Sequence, residues 1–288
     1  MSMFKTPDLH THSTASDGTL SPTELIERAG RVGIEVMALT DHDSVAGIAE
    51  AARAAESIGL TLIPGVEVSV TWGGRTVHIL GLGLDPSCPV LSQGLSRLQT
   101  YRDWRATEIA RKLAIAGFDG ALDGARAHVK GGLIGRTHFA RFLVERGAAQ
   151  DVRGVFKRFL VNGKPGFVRG EWAALEEAVG WIRAAGGHAV IAHPARYGLT
   201  RRKMLRLIGE FRECGGRALE VVSGSHSRDE YFTFARHAAE HRLLASAGSD
   251  YHGPDNPWIE LGCLPPLPEG CTPIWALSGF GRSAVKAA

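Results

Sequence analysis

The sequence predicts an α/β fold in which strands alternate with helices and close into a barrel of seven or eight units. Three observations lead there. Short apolar runs alternate with helical patterns at both ends of the chain. Histidines and acidic residues collect where those runs stop. These residues range from position 10 to position 252, and a closed ring brings such distant positions to one mouth. A doubly wound open sheet, the alternative, gathers them less naturally. A chain of 288 residues has room for one barrel and an insertion.

The first run, Asp8-Leu9-His10-Thr11-His12-Ser13, reads as extended chain. Residues two apart on a strand face one side, which puts His10 and His12 roughly 6.5–7 Å apart, with Asp17 on the loop beyond. Ser21-Pro22-Thr23-Glu24 is a capping box with proline at the first helical position. Leu25, Ile26, Ala29 and Val32 recur at helical spacing until Gly33 stops the helix. Ile34 to Thr40 is a strand leading into Asp41-His42-Asp43, and a small-residue helix runs from Val45 to Ile58. Leu60 to Ile63 is the third strand, and the chain continues past Pro64-Gly65 as Val66 to Val70, carrying Glu67. Gly73-Gly74 predicts a hairpin, and Val77 to Leu84 returns with His78.

From Cys88 to Gly170 the alternation breaks. Leu95, Leu98, Tyr101, Trp104, Ile109 and Leu113 form one long helical pattern, followed by shorter basic pieces. This predicts a small helical subdomain, residues 96–170, inserted into a barrel made from 1–95 and 171–288. The alternation then resumes with a helix from Leu175 to Ala185, a strand His188 to Ala192 ending in His193-Pro194, and a helix Arg201 to Cys214. A strand Ala218 to Val222, a helix Asp229 to His241 and a strand Leu243 to Ala247 follow, the last delivering Asp250 and His252.

Bulk properties remove several classes. A formal charge of +3 is small and by itself says little about polyanion binding; no stable nucleic-acid complex is expected. No apolar run approaches the roughly 20 residues of a membrane span, and the N-terminus lacks the apolar core of a signal peptide. Cys88, Cys214, Cys263 and Cys271 are widely spaced without a Cys-x-x-Cys, which points to free thiols in a reducing cytoplasm.

Four segments stand out together: DLHTHSTASDG, LTDHDS, IAHP and AGSDYHG, with GVEVS and VHILG between the second and third. In kind and order they resemble the polymerase-and-histidinol-phosphatase (PHP) family of metal-dependent phosphoesterases. The resemblance implies a distorted (β/α)7 TIM-like barrel with two or three divalent metals at its mouth. It further implies that His10, His12, Glu67 and Asp250 hold one metal, Asp17, His42 and His252 a second, and His78 and His193 a third, with Glu67 bridging. Mixed imidazole and carboxylate donors without thiolate suit Mn²⁺, with Fe²⁺, Zn²⁺ or Mg²⁺ as alternatives.

Within the family the chain is most similar to the branch acting on nucleoside 3′,5′-bisphosphates and short 5′-phosphorylated RNA. The expected reaction is removal of the 3′-phosphate from a nucleoside 3′,5′-bisphosphate by a hydroxide held between metals. The alternatives are 5′–3′ exoribonuclease action in the same site and histidinol-phosphate hydrolysis. An amide hydrolase commonly needs a bridging lysine, and none lies in these motifs. Three divalent cations, three carboxylates and a hydroxide leave about +2 at the mouth, which a phosphate dianion neutralises. A ribose alkoxide needs a proton as it leaves; His226 is the first candidate general acid and Asp43 the second. Arg102, Arg105, Lys130, Arg136, His138 and Arg196 are candidate ligands for a second phosphate. Tyr101 or Trp104 could lie against a base, although Trp104 also fits a helix core stripe. Asp8 and Asp41 are expected to hydrogen-bond ligand imidazoles. His128, His188, His237 and His241 read as structural or surface residues.

Overall fold

The computed structural model describes residues 7–255, 258–278 and 280. Six strands form one sheet in chain order: β1 (Val36–Leu39), β2 (Thr61–Trp72), β3 (Arg75–Leu82), β4 (His188–Ile191), β5 (Ala218–Ser223) and β6 (Leu244–Gly248). The pairings β1–β2, β4–β5 and β5–β6 are parallel, whereas β2–β3 and β3–β4 are antiparallel. The sheet is therefore mixed rather than uniformly parallel. Gly73 and Gly74, at φ 54° and 74°, make the tight turn that sends β3 back along β2. Pro64, which has no N–H to give a ladder, stands where β2 passes from its last pairing with β1 to its first with β3. For that reason the two predicted strand pieces are one strand of 12 residues.

The run 8–12 is not a full ladder strand. It makes isolated bridges, Asp8 to Met37 and Thr11 to Tyr251. The Ala38 N–H donates to Asp8 O on one side, while the Leu9 N–H donates to Ala247 O on the other. Its hydrogen bonds alternate between β1 and the β6 end, so it lies between these two edges. Leu9, Ala38, Ile63, Leu80, Val190 and Ala218 belong to one buried cluster on the inner side of the sheet.

Helices cover the outer side. Ser21 accepts from the Glu24 N–H and Glu24 from the Ser21 N–H, closing the predicted capping box of α1 (Pro22–Arg31). α2 (Ile48–Ile58) follows and ends at Gly59 in the left-handed conformation. α3 (Pro89–Ile115) is a single helix of 27 residues. Its Leu91, Leu95 and Leu98 pack with the sheet-side core, whereas Ile109 and Leu113 pack with α4 (Ala121–Ala127), α5 (Arg136–Glu145) and α6 (Val152–Val155). A boundary at residue 96 thus falls inside a continuous helix that serves both clusters. A π-helix, Phe156–Leu160, ends the helical stretch. α7 (Leu175–Ala184), α8 (Arg201–Glu213) and α9 (Arg228–Glu240) return to the sheet. Among the described residues no helix is long and apolar enough to cross a membrane, and all four cysteines are free.

Candidate metal and phosphate site

The run 8–12, the loops that follow it and follow β1, β4 and β6, and the interiors of β2 and β3 deliver the imidazoles and carboxylates to one place. His10 and His12 are fully buried, and their Nε2 atoms lie 3.1 Å apart. Glu67 Oε2 is 3.4 Å from His10 Nε2 and 3.3 Å from His12 Nε2, and Asp250 Oδ1 is 3.4 and 3.2 Å from the same atoms. On the other side of Glu67, His78 Nδ1 and His193 Nε2 stand 2.8 and 2.9 Å from Oε1. His42 Nδ1 lies 2.7 Å from Oε2. Asp17 Oδ1 is 3.2 Å from His252 Nε2 and 3.9 Å from His42 Nε2.

The ligand atoms form three groups that can each hold an ion: His10, His12, Glu67 and Asp250; His12, Asp17, His42 and His252; and His42, Glu67 and His78. His12 and His42 each serve two groups. His193 stands outside the third group and reaches it through Glu67.

A cation fits this arrangement on the structure's own terms. His10 Nε2 and His12 Nε2 converge to 3.1 Å, close enough for a shared proton or a shared cation to stand between them. Glu67 Oε2, His42 Nδ1 and His78 Nδ1 are buried and close to opposite partners, yet none has a hydrogen bond of proper direction. Burial pushes the Glu67 and Asp250 carboxyls upward, but the surrounding imidazoles, and for Asp250 also Arg196, outweigh it and hold both well below the usual range. Burial and neighbouring His252 push His12 down to about 3, so its ring is a neutral donor.

Backbone strain marks the same place. Four described non-glycine residues have positive φ, and three of them are Asp43, His193 and Asp250. Such conformations persist where the surroundings over-determine them.

A cavity of about 150 Å³ opens over the cluster, walled on the far side by Arg102, Arg105, Arg136, Phe156 and Trp172. Arg102 is paired with buried Asp43 at 2.6 Å and donates to Ser69 Oγ. Arg196 is paired with Asp250. Arg105 and Arg136 have no carboxylate partner among the described residues. Arg105 donates only to Val168 O, and Arg136 stacks over Phe156 at 5.5 Å. Burial and crowding by the other arginines push Arg105 down to about 9 and Arg136 down to about 10. Trp172 sets the wall: the guanidinium carbons of Arg102 and Arg105 lie 5.1 and 5.2 Å from its ring.

Several sequence expectations are corrected here. His226 does not line the cavity. Its Nδ1 lies 3.2 Å from Val221 O and its Nε2 accepts from the Ala195 N–H at 3.4 Å, so both nitrogens are turned to the backbone. Asp43 accepts from the Ser69 N–H and from Arg102, and is a tether for that arginine rather than a free acid. His138 is buried in α5 with Nδ1 accepting the Gly135 N–H. Lys130 is exposed, with its charge felt by Glu24 of α1. Tyr101 binds the backbone of Arg169 and Glu171, and Trp104 is 53% exposed, so neither faces the cavity. Asp8 accepts from the Ser249 N–H, and Asp41 from Ser13 and Ser16, so these carboxylates hold the ligand loops and not the imidazoles. His237 is buried rather than on the surface.

The sequence reading missed Glu220, Trp172, Phe156 and Thr137, whose Oγ1 donates to Asp17 Oδ2 at 2.8 Å. Only Glu220 had a local signal, as a lone acid in the apolar run Ala218-Leu219-Glu220-Val221-Val222.

The comparisons agree with this geometry. A family model described as PHP domain matches residues 8–187. The 3′,5′-nucleoside bisphosphate phosphatase of Chromobacterium violaceum is 51% identical over 93% of this chain and 94% of its own. The 5′–3′ exoribonuclease Rnm of Escherichia coli is 43% identical over 94% of this chain and 92% of its own. A solved structure of an amidohydrolase from Chromobacterium violaceum, with bound sulfate and no metal, superposes with a TM-score of 0.90 at 50% identity, covering 93% of this chain and 94% of that one. Histidines and acids from distant parts of the chain, packed about one buried glutamate, are thus the local expression of a wider kinship, and the chain belongs to the PHP family.

Proposed function

We propose that this chain is a metal-dependent phosphoric monoester hydrolase that removes the 3′-phosphate from nucleoside 3′,5′-bisphosphates. One observation carries the reading: a single cavity joins a cation-binding cluster to Arg105 and Arg136, two guanidiniums with no carboxylate at ion-pair distance among the described residues. An anion offsets the cost of holding two such cations side by side in a wall, and a phosphate dianion matches their charge and fork geometry. One phosphate would lie on the cluster and the other on the arginines. The high identity to a bisphosphate phosphatase supports the same substrate class, and no lysine lines the cavity for amide-hydrolase chemistry.

His10, His12, Asp17, His42, Glu67, His78, His193, Asp250 and His252 would hold two or three divalent ions, with Mn²⁺ the best match to their donors. Bound there, the ions supply Lewis acidity toward phosphoryl oxygens and acidify water. The chain's own groups do the rest. Arg105 and Arg136 orient the remote phosphate, and Asp43 and Asp250 aim Arg102 and Arg196 across the cavity. Trp172 and Phe156 keep the wall apolar behind the guanidiniums.

In architecture we read the run 8–12 as the seventh strand of a distorted (β/α)7 barrel, lying between β1 and β6. We read residues 96–170 as a helical cap that carries Arg102, Arg105, Arg136, Thr137 and Phe156 over its mouth. The free thiols suit a reducing cytoplasm.

A second activity, 5′–3′ cleavage of short 5′-phosphorylated RNA, is favoured by the identity to the E. coli exoribonuclease and uses the same two subsites. Arg136→Ala tests the reading. KM for a 3′,5′-bisphosphate should rise about tenfold or more, equivalent to roughly 1.4 kcal/mol, while hydrolysis of an aryl monophosphate stays near wild type. An equal loss on both substrates, or no phosphate release from any nucleotide by the wild type with Mn²⁺, sinks it.

A further inference from the structure

Behind the candidate metal ligands lies a carboxylate to which neither the motifs nor the comparisons give a role. Glu220 is fully buried in the middle of β5, a strand whose other residues are all buried too. Its oxygens lie 3.2 and 3.3 Å from His10 Nδ1. The second of them also accepts the backbone N–H of His193. Pairing of β5 with β6 shifts register between Glu220 and Val222, a bulge of the kind that re-aims side chains. Gly248 on β6 makes room: a Cβ there would stand 2.6 Å from Glu220 Oε1 and 2.2 Å from His10 Cβ.

The two groups that Glu220 holds face opposite oxygens of Glu67. His10 Nε2 approaches Oε2, and His193 Nε2 approaches Oε1. Glu220 in the rear and Glu67 in front therefore close a ring through His10 and His193. Accepting from Nδ1–H of His10 fixes the tautomer that leaves Nε2 as a lone pair toward the cluster. The bond from the His193 N–H fastens a residue held at φ 24°, which is a strained conformation for a side-chain-bearing residue.

We infer that Glu220 is a positioning residue that couples two of the cation positions, so that filling one organises the other. The inference rests on the metal-dependent reading above, but it concerns the apo protein's affinity for ions and not the ester it cleaves. Chelator-stripped wild type, Glu220→Gln and Glu220→Ala are titrated with Mn²⁺ alone, and with Co²⁺ to follow its visible absorption. In both variants two equivalents should weaken together by roughly 10–100-fold, the usual consequence of losing an outer-shell carboxylate. A remaining equivalent at Asp17, His42 and His252 should keep its affinity, and the Co²⁺ bands should change only for the weakened ions.

Glu220→Gln keeps the volume, so its ion-free melting temperature should not fall. Excess Mn²⁺ should restore turnover in it. Unchanged Mn²⁺ affinities, weakening of one equivalent only, or a uniform loss together with a lower ion-free melting temperature would each overturn the assignment. Wild type that binds Mn²⁺ yet hydrolyses no phosphate ester overturns the phosphatase reading and leaves the Glu220 titration intact.

Discussion

His138 shows how a histidine in a basic helical stretch can belong to stability. It sits in the first turn of α5, buried, with Nδ1 accepting the Gly135 N–H that the helix leaves unsatisfied. Burial, with a contribution from Arg141, pushes it down to about 4 from 6.5. A depressed histidine binds its proton more readily in the unfolded chain, so its contribution is complete above pH 6.5 and is lost as pH falls toward 4. The full difference is at most about 3 kcal/mol. His138→Gln keeps an acceptor at the same helical position and carries no titrating group. Urea unfolding between pH 7 and pH 4 should therefore show a shallower loss of stability in the variant by up to that amount. Parallel slopes would show that other groups govern the acid limb. The same accounting of partners separates Arg136, which no carboxylate holds, from Arg102, which Asp43 fixes in place.

α3 is the element on which sheet and cap depend jointly. Its first half packs on the sheet and its second half organises the helical cluster, with Arg102 and Arg105 between them, one turn apart and both against Trp172. Gly94 lets this helix approach α7: a Cβ there would meet the Trp181 ring at 2.4–2.6 Å. Gly94→Ala should destabilise by about 1–3 kcal/mol through overpacking, read as a lower urea midpoint with an unchanged slope. Because the shift is applied to the same rigid rod that carries the arginines, KM for a bisphosphate should rise as well. A midpoint within error of wild type would mean that Trp181 moves aside freely. The π-helix that places Phe156 at the cavity wall is a second local irregularity at the site, as such bulges often are.

Taken as a whole, the molecule gathers six histidines and three acids from nearly its full length into one cluster, buried at His10, His12 and Glu67 and open to the cavity at His42, His78 and His252. Filling it ties together the run 8–12, the loop carrying Asp17, the interiors of β2 and β3, and the turns after β1, β4 and β6. Ions that bind the folded chain and not the unfolded one stabilise by about 2.7 kcal/mol per site at a hundredfold excess over Kd. For a chain of this size each kcal/mol moves the melting temperature by about 2–4 °C. Chelation should therefore lower the melting temperature by at least about 5 °C, and Mn²⁺ should restore it. A melting temperature indifferent to chelator and to added Mn²⁺ would show that the cluster is stable without ions.

Local chemistry was legible in the linear sequence because its signals are short-ranged. The capping box at Ser21, the Gly73-Gly74 turn and the alternation of β4 to β6 with α7 to α9 depend on neighbours within a few residues. The imidazoles and carboxylates could also be found this way, since each stands within a compact motif. What only the folded chain decided depends on groups distant in sequence. That His12 and His42 each serve two groups and that Asp43 belongs to Arg102 follow from pairings across tens of residues. Glu220 and His10 are 210 positions apart, and Trp172 reaches Arg102 and Arg105 from the far side of the helical segment. A sequence states which donors exist, but the folded chain sets which partner each meets, because desolvation makes every buried polar group find one in three dimensions.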